Sequence, residues 1–183
     1  MRALASKSLA NNFFCMKQLC SLLLISLLSS CAGYRMGDAK PAALAKVETV
    51  AVTMFKNRTL HPRAEALATS AVTHAFAQDG TYRLVQVSAA DAVLEGSLKR
   101  IDYRGIRGTR RDTLLPEELA NEVVLEWKLL DAKNPLKVLA TGSSIGKSQL
   151  FAGGNLQTAR NNALPEALEV AAEALVAQLA TGF

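Results

Sequence analysis

Between Val47 and the C-terminus the apolar positions change period several times, and each change marks an element. Val47 to Phe55 alternates, with Val50, Val52 and Met54 on one side, which is the period-two pattern of a strand. Asn57 to His61 supplies turn residues. Pro62 suits the first position of a helix, where a backbone N–H would have no partner anyway. Ala64, Leu67, Ala68, Ala71, Val72, Ala75 and Phe76 then recur at spacings of three and four until Gly80 stops them. The face they form is rich in alanine and permits close approach to a sheet.

Thr81 to Val87 and Ala92 to Tyr103 read as a second and a third strand, the third running on into a basic loop. Glu122 to Leu130 is a fourth: Val123, Leu125, Trp127 and Leu129 alternate with Glu122, Glu126 and Lys128, so one face is buried and the other wet. Asp131 to Pro135 makes a turn, and Leu136 to Lys147 returns as a fifth strand in a hairpin. Beyond Gly153 and Gly154 a last helix runs to Ala180, with Leu164, Ala167, Leu168, Ala171, Leu175 and Leu179 on its apolar face. Pro165 either starts that helix or kinks an earlier turn. This order predicts an α+β fold, a mixed or antiparallel sheet of four to five strands with two helices packed on one face.

The residues before Val47 follow a different pattern. Leu19 to Leu28 is an uncharged run of signal-peptide length, too short to cross a bilayer as a helix, and Lys17 places a positive charge just before it. Leu28-Ser29-Ser30-Cys31 then sets small residues against a cysteine, the pattern of a bacterial lipoprotein signal. Residues 1–30 are accordingly expected to be removed, Cys31 to carry diacylglyceryl and N-acyl groups, 31–46 to form a lipidated linker, and 47–183 to form a single domain. Met16 opens a segment that would be a complete signal by itself, so residues 1–15 read as an upstream extension from a misplaced start. Two or three acyl chains make a stable membrane anchor where one does not. Ala32, rather than aspartate, follows the cysteine, which by the sorting preference of such lipoproteins favours the outer membrane and a periplasm-facing domain.

Processing also changes the charge. Arg2, Lys7 and Lys17 lie in a segment without acidic residues, so removing these three lowers the formal net charge of the 183-residue chain from +5 to +2. That balance argues against nucleic acid as a partner. Cys15 and Cys20 leave with the signal, so Cys31 would have no cysteine to pair with, and the domain must rely on its apolar core.

Candidate chemistry is sparse. Gly142-Ser143-Ser144-Ile145-Gly146-Lys147-Ser148 resembles a phosphate-binding loop, but three residues separate its glycines where four are needed, and no helix follows directly. Nucleotide binding is therefore not expected, and wet-face positions on an edge strand account for the segment. Asn57-Arg58-Thr59 matches a glycosylation acceptor, yet the lipoprotein signal is bacterial and a turn explains it. His61 and His74, the only histidines, have no cysteine near them, and neither a metal site nor a catalytic pair is expected. Glu117, Glu118, Glu166 and Glu169 fit solvated or helix-start positions. No cofactor and no catalytic residue is nominated. The most informative cluster is Arg104, Arg107, Arg110 and Arg111, four arginines within eight residues, with Lys99 and Arg100 leading into it. Guanidinium groups grip phosphate through paired donors, so this segment is the candidate phosphate site, set against a plain solvated hairpin tip.

Cys31-Ala32-Gly33-Tyr34 followed by Gly37, Val50-Ala51-Val52 leading to Phe55-Lys56-Asn57-Arg58-Thr59, Glu65-Ala66-Leu67, and Ala90 to Gly96 stand in the order and spacing of a known family. With the alanine-rich terminal helix, they make the chain resemble a divergent branch of the lipopolysaccharide-assembly lipoproteins, the LptE family. The resemblance implies a non-enzymatic outer-membrane role: the lipoprotein sits inside a large β-barrel partner, LptD, and helps deliver lipopolysaccharide to the outer leaflet. It implies lipopolysaccharide contact through basic residues without identifying them here. A lipoprotein auxiliary to a lipid ABC transport system is the alternative the sequence leaves open.

Overall fold

A computed structural model describes residues 40–108, 116–151 and 155–182 of the chain. Cys31 and the signal, Arg110 and Arg111, and the Gly153-Gly154 loop lie outside the described residues. Among the described residues six strands and two α-helices form an α+β sandwich, as the pattern of apolar residues predicts, with one strand more than the five read from it. Strand β1 (Thr49–Val52) is flanked by β3 (Arg83–Leu84) and β4 (Ala92–Gly108) and runs parallel to both. The additional strand, β2 (Lys56–Asn57), continues the line of β1 along Ser97 and Leu98 of β4. β4, β5 (Pro116–Asp131) and β6 (Val138–Phe151) form a long antiparallel meander, giving the order β3-β1-β4-β5-β6. Helix α1 (Ala64–Asp79) joins β1 and β2 to β3, and α2 (Leu156–Thr181) follows β6. The helices pack against each other and share one face of the sheet.

The first strand departs from its expected alternation. Val50 and Ala51 are both buried while Met54 is exposed, because the strand ends at Val52 and the chain steps outward. There the backbone N–H and hydroxyl of Thr53 both donate to the carbonyl of Leu94, at 3.0 and 2.9 Å. Phe55 then turns into the core, and its ring fills the space over Gly96, where any Cβ would stand 2.1 Å from Cε1. A second clasp ties the start of the strand down. The Asp91 carboxylate accepts from Thr49 N–H at 3.0 Å and Thr49 Oγ1 at 2.8 Å, while Asp91 N–H donates back to Thr49 Oγ1 at 2.9 Å.

Helix α1 starts at Ala64 rather than at Pro62, because Arg63 ahead of it has a left-handed backbone, φ 62°. Ala64, Ala68, Val72, Ala75 and Phe76 make the buried stripe, and Leu67, expected within it, is exposed. Gly80 ends the helix at φ 73°, donating its N–H to the Phe76 carbonyl at 3.1 Å. Helix α2 begins nine residues before Pro165, capped by the Asn155 side chain accepting from Thr158 N–H at 3.1 Å. Pro165 therefore lies inside the helix, where it removes one backbone donor.

Candidate functional site

The two faces of the meander differ because residues of opposite parity point opposite ways. On the helix-bearing face Leu94, Leu98, Val123, Leu125, Trp127 and Leu129 are buried under α1 and α2. Among the described residues the other face carries no helix, and it presents a charged ladder. Glu122 accepts from Arg100 at 2.9 Å and pairs with Lys147 at 3.5 Å, Arg100 also meets Asp102 at 2.9 Å, and Glu126 pairs with Lys99 and, at 3.7 Å, with Arg58. Cross-strand register places Asp102 opposite Glu122 and Ser97 opposite Glu126. The hydrogen bond from Lys99, helped by the charges of Lys99 and Arg58, holds the Glu126 carboxyl below its ordinary range. A mixed-charge groove of about 470 Å³ runs across this face between Lys56, Arg58, Glu95, Glu126, Lys128 and Ser143.

Among the described residues the basic cluster divides into two parts. Lys99 and Arg100 are engaged by the carboxylates of the ladder. Arg104 and the backbone of Arg107 lie in β4, opposite Ala120 and Glu118, so the segment expected as a loop is strand as far as Gly108. Arg104 is exposed. The extension has a physical cause: β5 begins at Pro116, earlier than the charge pattern suggested, and supplies pairing partners for β4 across two register shifts at Gly105–Gly108. Leu119, Leu150 and Ala163 form a small second core there, with Tyr103, Leu156 and Ala159 against it.

The phosphate-loop-like segment lies entirely in β6, the edge strand, but it is not all wet face as expected: Ser144, Gly146 and Ser148 are buried, because alternate residues of the strand point toward α2. Its glycines make room for side chains and helix rather than for phosphate: a Cβ on Gly142 would stand 2.4 Å from the Trp127 ring, and Gly146 lies against α2. Among the described residues no group of three or more His, Cys, Asp or Glu could hold a metal ion, and no helix is long and apolar enough to cross a membrane. His74 is exposed on α1. His61 sits in the turn before α1, together with Arg160 of α2, a residue that no periodicity or motif distinguishes in the sequence.

Comparison with solved structures shows the fold to be a shared one. A protein from Caulobacter crescentus described as a lipoprotein shares the fold with TM-score 0.53 at 20% identity, covering 73% of this chain and 89% of its own. A protein from Xanthomonas campestris does so with TM-score 0.53 at 17% identity, covering 74% and 85%. No curated protein sequence matches significantly. The sequence profile of LptE, described as lipopolysaccharide-assembly, matches residues 47–179, nearly the whole folded domain. The chain belongs to the LptE family.

Proposed function

We propose that this chain is an outer-membrane lipoprotein, anchored through acyl groups on Cys31, that partners an LptD-type β-barrel in delivering lipopolysaccharide to the outer leaflet. The observation that carries the reading is the LptE profile match over residues 47–179, together with a fold that presents two unlike sheet faces. The charged ladder of β4–β6 suits contact with a polar barrel interior, where each buried polar group needs a partner. The arginines beyond the ladder suit the phosphates of lipid A or core sugars, as charge-assisted bidentate pairs. No reacting group is needed for either task; the chemistry is recognition and tethering.

Photo-crosslinking from Arg104 and Ile145 in intact cells, followed by purification from outer membranes, tests the partner. A crosslinked adduct with a large outer-membrane β-barrel is the expected result. Adducts with an inner-membrane ATPase complex instead would overturn the proposal in favour of the transport-auxiliary reading. Mass spectrometry of the mature protein tests the anchor, and an unmodified Cys31 would remove it.

A further inference from the structure

A second cavity opens on the helix-bearing side, where the turn before α1 meets β4 and the first turns of α2. It holds about 290 Å³, at the small end for a ligand pocket, and its wall includes Leu60, His61, Ile101, Tyr103, Gln157 and Arg160. The Arg160 guanidinium stacks 4.9 Å from the centroid of the Tyr103 ring, which fixes its plane. Burial raises the pKa of the Tyr103 phenol, against the opposing charge of Arg160, so the ring beside the cation stays neutral.

Two buried nitrogens in this wall have no hydrogen-bond partner, Nε of Arg160 and Nε2 of His61. Buried polar atoms are nearly always satisfied, so two orphans lining one cavity call for an explanation. Among the described residues no carboxylate lines the cavity and none forms an ion pair with Arg160. His61 Nδ1 lies 3.2 Å from the Pro62 carbonyl, so Nε2 is the ring nitrogen left over for a ligand. The site is also within two turns of the α2 N-terminus, the positive end of a 26-residue helix. Leu60 stands fully exposed at the rim.

We propose that this cavity is an anion site, taking a single phosphate or carboxylate group on the Arg160 guanidinium with His61 Nε2 as the second polar contact. Among the described residues the arrangement is a fixed cation without a carboxylate partner, in a space that admits one oxyanion and a few linking atoms. A free anion and the headgroup of an acidic amphiphile share this chemistry. The site is separate from the arginines of β4 and stands whether or not those residues contact lipopolysaccharide.

The test uses the full-length protein in neutral detergent, with NMR of the Arg160 Nε–H and the His61 ring. One arm titrates inorganic phosphate and acetate; the other titrates phosphatidic acid in phosphatidylcholine bicelles, with phosphatidylcholine alone as control. Saturable shifts of both groups are expected, weakened about tenfold in R160Q and in H61Q, and partly retained in R160K. Shifts with the free anions identify a soluble ligand, and shifts with phosphatidic acid alone identify a lipid headgroup; either supports the site. Absence of shifts with every probe, or equal shifts in a folded R160Q, overturns it.

Discussion

A Cβ on Gly146 would stand 1.8 Å from the carbonyl oxygen of Ala167 and 2.5 Å from the amide nitrogen of Ala171, so the backbone of α2 lies directly on β6. Both obstacles are helix backbone, which cannot swing aside as a side chain can. G146A should therefore lower unfolding stability by about 2–4 kcal/mol. Gly80 is the control: its surroundings are open and only its φ of 73° resists a side chain, so G80A should cost about 1 kcal/mol. Urea unfolding followed by the fluorescence of Trp127, the only tryptophan, measures both.

The Asp91 clasp makes a statement about pH. Hydrogen bonds from Thr49 and Glu48 hold the Asp91 carboxyl below its ordinary range. A lowered folded value means that the carboxylate contributes fully above the unfolded pKa of about 3.9. The contribution is lost as pH falls through the folded value. D91N should be less stable than the parent at neutral pH, by about 1 kcal/mol given the exposure of the site, and the difference should shrink below pH about 4. Thermal melts of the two proteins across that range provide the measurement.

A buried polar network fixes α2 over the distal part of the meander. Ser148 Oγ donates to the Ala163 carbonyl at 2.7 Å, and Asn121 Nδ2 lies 3.3 Å from the same carbonyl and 3.4 Å from Ser148 Oγ. S148A should cost about 1–2 kcal/mol and N121A about 2–3 kcal/mol. Because the two side chains share one acceptor, the double variant should fall short of the sum. Strict additivity in a double-mutant cycle would show that they act separately.

The division of the basic cluster predicts unequal effects on lipopolysaccharide binding. Joint replacement of Arg107, Arg110 and Arg111 by alanine should weaken binding most at low salt, where the attraction is least screened. K99A and R100A should matter less, since those cations already have carboxylate partners. Surface plasmon resonance with immobilised lipopolysaccharide at two ionic strengths separates these outcomes. Unchanged binding by the folded triple variant would move the contact site elsewhere.

Much of this molecule was legible in one dimension. The alternation of Val123, Leu125, Trp127 and Leu129 against Glu122, Glu126 and Lys128 identified the central strand and its wet face, because a strand half covered by helices selects residues by parity. The three-and-four spacing of Ala64, Ala68, Ala71, Val72, Ala75 and Phe76 identified α1, and the order of elements, with the family motifs, identified the class. Other features were not legible, since their causes lie in residues distant along the chain. Phe55 interrupts the first strand because Gly96 leaves space for its ring, and Arg104 is strand because β5 begins at Pro116. His61 and Arg160 are ordinary turn and helix residues until folding sets them around one cavity. Local side-chain pattern determined where elements form and which side of each is apolar. Only the packed structure decided where strands stop, which cations are already neutralised and which polar atoms lack partners, because those outcomes depend on neighbours across the sheet and between the helices.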